Sequence, residues 1–586
     1  MRKIRSSIFL ALVLTLVIGL PGVIQAHNQQ KAGFYTLEQS NFYFHSQSYF
    51  KRIALRSSET RIWYTYQPAD EDPASKPLIV FYNGGPGGAT SSGLFCANTG
   101  RLAVNYDHIP GTGTIVNNPS SWTKIGNLLH IDSRTAGFSY SLMDNPQENT
   151  LRKAEFEGQN YNAFIDATDF ARVILRFLRD HPEIQKNPVI LVPESYGGIR
   201  TTVILHLLLY YKKYENGEKV FQNQSLIQEI QNHYNAVFPE YSGQTVPPDV
   251  IARQFGHQVM IQVAVSHPNQ RQIAIEMLEA ANSPIYQLAA ETGVPYIRWR
   301  EQPGNTGTPQ TNWVMNNIYD YLDMINRDPY IFSKPGNYFN GFLAASEDLL
   351  TRYTSLSRLI GMDPAGIPEL YSTARQNGYK SRDTDTANTA APVSTLLGPL
   401  PKTQVSSLSP SSLLEGDLAS VFGTLQPWDR FFIDLNRDAN IAFVYNRLYF
   451  SGYRGEMYWA QSHRFGEMFL ENAAWVNTFI TNAAYDVVVF SPAFPSALAK
   501  HTDYLSSVQH DTDGPPGATR PGQMKLNYLS SSVPGSNVTQ RTIRFPYYSN
   551  SGHAVTLTEP AEMLSDVIEW LRNTGIFVNS GGGLNR

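Results

Sequence analysis

The sequence has a single cysteine, Cys96, among 586 residues, so no disulfide bond can form within the chain. It also has no excess of positive charge, since 46 Lys and Arg residues stand against 50 Asp and Glu residues for a formal net charge of −4. Proteins that bind nucleic acid carry basic patches, so we do not expect a nucleic-acid partner. The scattered histidines lack ligand spacing, and we expect no metal and no other cofactor.

Long apolar runs are missing except near the N-terminus. Residues 8–20 form an apolar stretch that follows three basic residues and precedes a Pro-Gly break and Ala26. This pattern predicts a secretory signal peptide over residues 1–26, and the stretch is short for a membrane span, a retained anchor being the alternative. Its removal changes the formal net charge from −4 to −7 and leaves no membrane span. One cysteine in an exported chain favours a bacterial periplasmic or secreted protein.

The two outer segments of the chain alternate between short apolar runs and amphipathic stretches. Residues 77–82, 125–132 and 485–490 are apolar runs that predict buried strands. Residues 160–184 and 561–575 have the periodicity of amphipathic helices. Strands that alternate with helices predict the α/β class with a mostly parallel sheet.

The middle of the chain has a different composition. Residues 212–430 are rich in Asn, Gln and Tyr, and residues 383–412 are rich in Ser, Thr and Pro, which is typical of a flexible loop. We therefore predict a core in two parts, residues 27–211 and 431–586, with residues 212–430 inserted between them as a cap.

The stretch PESYGG, residues 193–198, places Ser195 between an apolar run and an apolar helical segment. When a buried strand turns sharply into a helix, the residue at the apex stands clear of the backbone, as in the nucleophile elbow G-x-S-x-G. The N–H of the next residue then points to where an oxyanion would form. Pro193 here replaces the first glycine of that pattern, and an ordinary strand-to-helix turn with Ser195 as a capping residue is the alternative.

Four motifs carry a family resemblance. In chain order they read FYNGGPGGATSSGLF, NNPSSWTKIGNLLHIDSRTAGFSYS, PESYGG and SGHAVTLTEP. Together they resemble the serine carboxypeptidases, a branch of the α/β-hydrolases, and Gly88 with the single cysteine resembles bacterial members. The resemblance implies an α/β-hydrolase fold with a mostly parallel central sheet and a large inserted cap. It also implies an enzyme that cleaves C-terminal residues from a peptide or protein substrate through an acyl-enzyme, which the predicted signal peptide would make an exported one.

The resemblance assigns the catalytic roles residue by residue. Ser195 would be the nucleophile, and His553 would be the general base that accepts its proton. The backbone N–H groups of Gly85 and Tyr196 would form the oxyanion hole. The order of serine before histidine is that of the hydrolase fold.

The resemblance also implies a site for the terminal carboxylate of the substrate, formed by Asn83 and Glu194. In the family a second glutamate shares a proton with the first, so that one acid donates a hydrogen bond and one pKa is strongly raised. That second glutamate should stand at Ala97, and the neighbouring Asn98 is out of register by one. The sequence therefore predicts only a weak preference for a free substrate carboxylate.

The acid of the catalytic triad is missing from its expected place. The family's late strand matches residues 487–498, and the aspartate position then falls on Pro495. Asp486 would stand at the start of the predicted strand 485–490, at the end of the sheet away from the site. Asp503 is a weaker candidate, since a helix after the strand would carry it away from His553.

The sequence therefore leaves three candidate functions. The first is an exported serine carboxypeptidase whose triad acid is displaced or absent. The second is an esterase or acyltransferase of the hydrolase fold that uses the same Ser195–His553 pair. The third is a catalytically impaired protein that binds peptides or partners through its cleft. The oligomeric state and the preferred substrate side chain have no signature in the sequence.

Overall fold

The structure is a computed structural model. It describes residues 31–46, 51–57, 59–84, 90, 94–105, 114–134, 139–142, 163–217, 221–263, 265, 465–483, 489, 491–510, 522–548, 551 and 555–576. The predicted signal peptide, the flexible segment 383–412 and most of the predicted cap lie outside these residues.

The strands of the described residues follow one another from the N-terminus. They are β1 (Lys31–Leu37), β2 (Asn41–Ser46), β3 (Lys51–Arg56), β4 (Glu59–Gln67), β5 (Leu78–Tyr82), β6 (Leu102–Asn105), β7 (Thr114–Asn117), β8 (Asn127–Ile131), β9 (Tyr140–Leu142), β10 (Val189–Pro193), β11 (Phe221–Asn223), β12 (His257–Met260), β13 (Asn477–Ile480), β14 (Asn482–Ala483), β15 (Leu505–His510), β16 (Gln523–Tyr528), β17 (Gln540–Arg544) and β18 (Tyr547–Tyr548).

The helices of the same residues are numbered in chain order. They are α1 (Ala163–Asp180), α2 (Gly197–Leu209), α3 (Tyr211–Glu215), α4 (Gln224–Val237), α5 (Pro248–Phe255), α6 (Phe465–Ala473), α7 (Phe494–Leu498), α8 (Val555–Thr558) and α9 (Pro560–Asn573). Short 3₁₀ turns occupy Pro73–Ser75, Trp122–Lys124, Pro239–Tyr241 and Ser491–Ala493, and a π-helical turn occupies Phe95–Thr99.

Most of the described strands belong to one large sheet. Its strand order is β1-β4-β8-β5-β10-β12-β13-β17-β16-β15, with β9 paired to β4. Neighbouring strands from β8 to β17 run parallel, and the strands beyond them on both sides run antiparallel. The carboxyl ends of β5, β10, β12 and β13 therefore meet at one edge of the sheet, where ligands bind in open α/β sheets.

Apolar clusters cover both faces of this sheet. In β5, Leu78 and Val80 belong to the cluster formed with helices α1, α2, α4 and α5. Ile79 and Phe81, whose side chains point to the opposite face, belong to the cluster formed with α9. Burial on both faces explains why β5 reads as a continuous apolar run, as strands of parallel sheets do.

Strand β12 corrects the predicted start of the insertion at residue 212. It lies in the central sheet between β10 and β13, so the core continues through residue 260. Gln258 Nε2 donates to Thr478 Oγ1 at 2.8 Å although 220 residues separate the two. A long insertion therefore separates two neighbouring core strands, and it begins after β12. The inserted cap itself stays a prediction, since most of its residues lie outside the described residues.

The sheet position next to β12 is occupied by strand β13, which precedes the predicted strand at residues 485–490 in the sequence. The parallel sheet position next to β12 belongs to Asn477–Ile480. Val489 is described and is not in a strand, while residues 484–488 and 490 lie outside the described residues. Asp486 comes after strands β13 and β14 in the sequence, and a strand that begins at residue 485 stays a prediction.

The predicted α/β-hydrolase fold is confirmed by a mostly parallel central sheet that helices cover on both faces. The elbow serine also lies between a central strand and the helix that follows it. Within the described residues, no helix is both long and apolar enough to cross a bilayer.

Candidate active site

Ser195 occupies the turn between β10 and α2 and adopts a left-handed conformation with φ of 58°. A non-glycine residue is rarely held there, and such strain is concentrated at functional sites. Both neighbouring strands hold the turn in place. Glu194 N donates to Tyr82 O at 3.1 Å, and Ser195 N donates to Ile261 O at 2.9 Å. Ser195 is 5% exposed, so the elbow is a fixed part of the core edge.

The glycines around the elbow allow three segments to approach closely. A Cβ on Gly197 would lie 3.0 Å from the Cβ of Pro193, and one on Gly198 would lie 2.5 Å from the Cβ of Val263. A Cβ on Gly84 would lie 2.5 Å from the backbone nitrogen of Tyr196. The end of β5 therefore lies directly against the first peptide after Ser195. This is the side on which the sequence predicts an oxyanion hole.

The predicted carboxylate-binding residues contact each other beside the serine. Asn83 Nδ2 donates to Glu194 Oε2. The other end of the amide accepts a hydrogen bond from Leu94 N at 2.7 Å, and Asn83 N donates to Thr90 Oγ1 at 3.1 Å. The Asn83 side chain is thus oriented by the chain after β5, and it presents Glu194 next to Ser195.

A buried ion pair lies against the same residues. Arg200 Nε donates to Asp166 Oδ2 at 2.7 Å, and both side chains are 1% exposed. Arg200 Nη1 donates to Asn83 O at 2.6 Å, and the Tyr196 hydroxyl donates to Asp166 Oδ2 at 3.0 Å. The pair therefore links helix α1, the elbow and the end of β5.

The π-helical turn Phe95–Thr99 is anchored to β8 by His130. Thr99 Oγ1 donates to Leu94 O at 2.6 Å, so it accepts from His130 Nε2 at 3.0 Å. His130 Nδ1 has no hydrogen-bond partner among the described residues. Burial lowers the pKa of His130 to about 3, because a proton on Nδ1 would bury an unpaired charge. The ring is therefore a neutral structural element.

Four of the predicted site residues, Asn83, Glu194, Ser195 and Tyr196, lie together at the carboxyl ends of β5 and β10. The predicted base His553, the predicted oxyanion residue Gly85 and the side chain of Ala97 lie outside the described residues. The structure therefore does not test their roles.

The structure describes two of the positions considered for the triad acid, Pro495 and Asp503. Pro495 is buried in helix α7, near its first turn, rather than at the end of a sheet strand. Asp503 is exposed in the turn that leads into the edge strand β15. Pro495 carries no carboxylate, and Asp503 lacks the buried setting that an acid behind a catalytic histidine occupies.

The sequence analysis missed Arg200 and Asp166. Arg200 is a charged residue in the mostly apolar helix α2, which was the available signal, since charges are rarely buried unless they are paired. Asp166 lies in the amphipathic helix α1 among other charged residues and gave no such signal. Their partnership required the fold. Among the described residues, no cluster of three or more His, Cys, Asp or Glu side chains could hold a metal ion.

Comparison with known proteins supports the family assignment. The family model described as serine carboxypeptidase matches residues 36–229. Serine carboxypeptidase-like 9 of Arabidopsis thaliana is 30% identical over 147 residues, which is 25% of this chain and 31% of that protein. The lysosomal protective protein of Mus musculus is 31% identical over 157 residues, 26% of this chain and 29% of that protein. The match thus spans less than a third of each relative.

Among solved structures, Kex1Δp, a prohormone-processing carboxypeptidase from Saccharomyces cerevisiae, aligns over 93% of this chain and 92% of its own. Its sequence identity is 14% and its TM-score is 0.43. The family match includes β5, the elbow and helix α2, and it therefore contains the four residues that the structure brings together. Residues 36–229 of this chain are therefore similar to the serine carboxypeptidases.

Proposed function

We propose that the chain is a serine carboxypeptidase-like hydrolase that acts on peptide or protein substrates through an acyl-enzyme on Ser195. The observation that carries this proposal is the positive φ of Ser195 at a strand-to-helix turn. Both neighbouring strands hold that turn in place. A serine strained at the end of a central strand is the arrangement by which α/β-hydrolases expose a nucleophile.

In this proposal His553 accepts the proton of Ser195 as the hydroxyl attacks the scissile carbonyl. The N–H groups of Tyr196 and Gly85 stabilise the tetrahedral oxyanion, and each such donor lowers the activation barrier by about 3 kcal/mol. The close approach of Gly84 to the Tyr196 nitrogen supports this assignment. His553 then gives its proton to the leaving group, and water hydrolyses the acyl-enzyme by the reverse path.

Asn83 and Glu194 would recognise the C-terminal carboxylate of the substrate. Their mutual hydrogen bond leaves the amide fixed beside Ser195. With Ala97 at the position of a second glutamate, no acid partner at that position shares a proton with Glu194, and repulsion between two carboxylates limits the preference for a free acid.

We further propose Asp486 as the acid of the triad, in place of the empty position at Pro495. Hydrolase triads follow the chain order serine, acid, histidine, which Ser195, Asp486 and His553 obey. Parallel strands β13 and β17 are neighbours in the sheet.

The chain beyond those two strands supports this assignment. Strands β14 and β18 continue the parallel pairing, since Ala483 is in register with Tyr548. Asp486 comes three residues after Ala483, and His553 comes five residues after Tyr548. At about 3.3 Å per residue, both can reach the same point.

Reaction with a fluorophosphonate probe tests the nucleophile. We expect the wild-type protein to be labelled at Ser195 and the Ser195→Ala variant to remain unlabelled, because only an activated serine attacks the probe. Mass spectrometry of the labelled peptide checks the position. A wild-type protein that resists the probe would favour the third candidate function, a binding protein without catalysis.

Asparagine substitution tests the acid. Asp486→Asn should lower kcat by about three to four orders of magnitude, because the histidine loses its orienting carboxylate. Asp503→Asn is the matched control at an exposed aspartate and should leave kcat unchanged. If Pro495→Asp raises kcat while Asp486→Asn leaves it unchanged, then the position at Pro495 is an empty acid position and our assignment is wrong.

An esterase or acyltransferase remains the second candidate, favoured by Ala97. We expect similar kcat/KM values, within about tenfold, for a blocked peptide acid and its amide, since a single carboxylate pairing contributes little net binding energy without its proton-sharing partner. A strong preference for the acid that disappears in Glu194→Gln would contradict this expectation. An ester substrate, cleaved with no requirement for the carboxylate, would identify the second function.

Export belongs to the same proposal. Residues 1–26 have the pattern of a signal peptide, and a single cysteine is compatible with an oxidising compartment. We therefore propose a periplasmic or secreted bacterial protein. Cleavage after Ala26 in the mature protein, read by N-terminal sequencing, is the direct test.

A further inference from the structure

The Arg200–Asp166 pair has a geometry that packing alone does not require. Its two side chains are each 1% exposed and 2.7 Å apart, and the Arg200 guanidinium lies 4.2 Å from the centre of the Phe170 ring. Desolvation of two charges is costly, so a buried pair often adds little net stability. This pair is distinguished by its further hydrogen bonds to two other segments of the chain.

Those groups belong to the two segments that border the proposed oxyanion. Arg200 Nη1 donates to the backbone carbonyl of Asn83 at 2.6 Å. Asp166 accepts from the hydroxyl of Tyr196 at 3.0 Å. The planar guanidinium can serve Asp166 and Asn83 at once because its donors form a rigid fork. The pair thus fixes the end of β5 relative to the elbow.

We propose that Arg200 and Asp166 are positioning residues for the oxyanion side of the site. They hold the Asn83–Gly84 peptide and the Tyr196 N–H in the relative position that a tetrahedral oxygen requires. The inference rests on the proposed role of Ser195 as a nucleophile. A misplacement of about 1 Å in such a site costs on the order of 10²-fold in rate.

Arg172, on the same helix as Asp166, provides a matched control. It is 3% exposed, and it pairs with Glu229 at 2.9 Å and Glu38 at 3.1 Å. Those contacts join α1 to α4 and to the segment after β1. An Arg172→Lys variant therefore disturbs an equally buried guanidinium without touching β5 or the elbow.

The experiment compares Arg200→Lys with Arg172→Lys on an activated ester substrate. Lysine keeps a positive charge for Asp166 but cannot extend a fork to the Asn83 carbonyl. We expect Arg200→Lys to lower kcat and the rate of fluorophosphonate labelling by about 10- to 100-fold, with KM within about twofold. Arg172→Lys should leave kcat, KM and labelling within about twofold of wild type. Equal losses in the two variants, or a raised KM at constant kcat, would overturn the proposal.

A neutral replacement guards against misfolding. The double variant Arg200→Gln with Asp166→Asn removes both charges, so no unpaired charge remains buried. We expect it to fold and to show the same loss of kcat as Arg200→Lys. A folded double variant with wild-type kcat would contradict the positioning role.

Failure of the proposed function can be separated from failure of this inference. If the wild-type protein is neither labelled nor active, the proposed function is wrong, and amide hydrogen exchange then decides the positioning claim. Exchange in peptides that cover residues 82–84 and 195–198 should rise at least about threefold in Arg200→Lys and stay unchanged in Arg172→Lys, since local opening sets the exchange rate. Equal exchange in both variants would contradict the claim.

Discussion

At the scale of single residues, the missing side chain of Gly84 controls how closely the end of β5 approaches the elbow. Its backbone lies against Tyr196 N and Glu194 O, at 2.5 Å and 2.6 Å from where a Cβ would stand. Both contacts are backbone atoms and cannot rotate away. On the other side of the turn, Ser195 N is held by its hydrogen bond to Ile261 O, so any shift would fall on the proposed oxyanion donors.

Gly84→Ala should therefore lower fluorophosphonate labelling of Ser195 by about 10²-fold, the cost of displacing one oxyanion donor. Gly33→Ala is the control, because the three atoms nearest to its added Cβ all belong to the movable Tyr64 side chain, the closest being the hydroxyl oxygen at 3.2 Å. Labelling rates and circular dichroism are measured on both variants. Full labelling of a folded Gly84→Ala protein would show that the approach of β5 is unimportant for reactivity.

At the scale of elements, helix α2 must pack closely on the chain after β12. A Cβ on Gly198 would lie 2.5 Å from the Cβ of Val263, so the helix would have to shift. Because α2 starts at the elbow, a shift of its first turn moves Ser195 as well. The approach of α2 to this segment thus couples the packing of the core to the geometry of the nucleophile.

We expect Gly198→Ala to lower the free energy of unfolding by about 1–3 kcal/mol, the usual cost of overpacking. Combining it with Val263→Ala should restore part of that loss, because the second change removes the opposing side chain. Denaturant titration of the two single variants and the double variant measures the coupling. Strictly additive losses would indicate that the two positions do not contact each other.

At the scale of the whole molecule, three buried histidines make the described core sensitive to acid. Burial lowers the pKa of His130 to about 3, of His233 to about 4 and of His257 to about 4. In the unfolded chain these groups titrate near pH 6.5. Below that pH the unfolded state binds more protons than the folded state. The stability of the fold is therefore unaffected by these histidines above pH 6.5 and decreases as the pH falls toward 4.

The free energy of unfolding should accordingly fall between pH 7 and pH 5, by up to about 1.4 kcal/mol per pH unit for each such histidine. His233→Gln should reduce this dependence, since glutamine does not titrate and can still donate to Gln254 Oε1, which lies 2.8 Å from His233 Nε2. Calorimetry of both proteins across this range is the measurement. An identical pH dependence in the variant and the wild type would contradict the assignment.

Local signals in the sequence were sufficient for part of the fold and of the site. The apolar runs that became β5, β8 and β10 are buried on both faces, and continuous burial leaves a readable run. The elbow around Ser195 carries its own turn chemistry in PESYGG. Strand β12 escaped prediction because its four residues begin with His257 and Gln258, too short and too polar to show a strand period.

The sequence alone determined the α/β class and the strand-to-helix turn at Ser195, because each depends on residues that are neighbours in the chain. Only the tertiary structure decided that β12 and β13 are sheet neighbours and that Arg200 donates to Asn83 O. Asn83 and Arg200 are 117 residues apart. Contacts over such separations arise from strand order and buried hydrogen-bond geometry, and local periodicity carries no record of them.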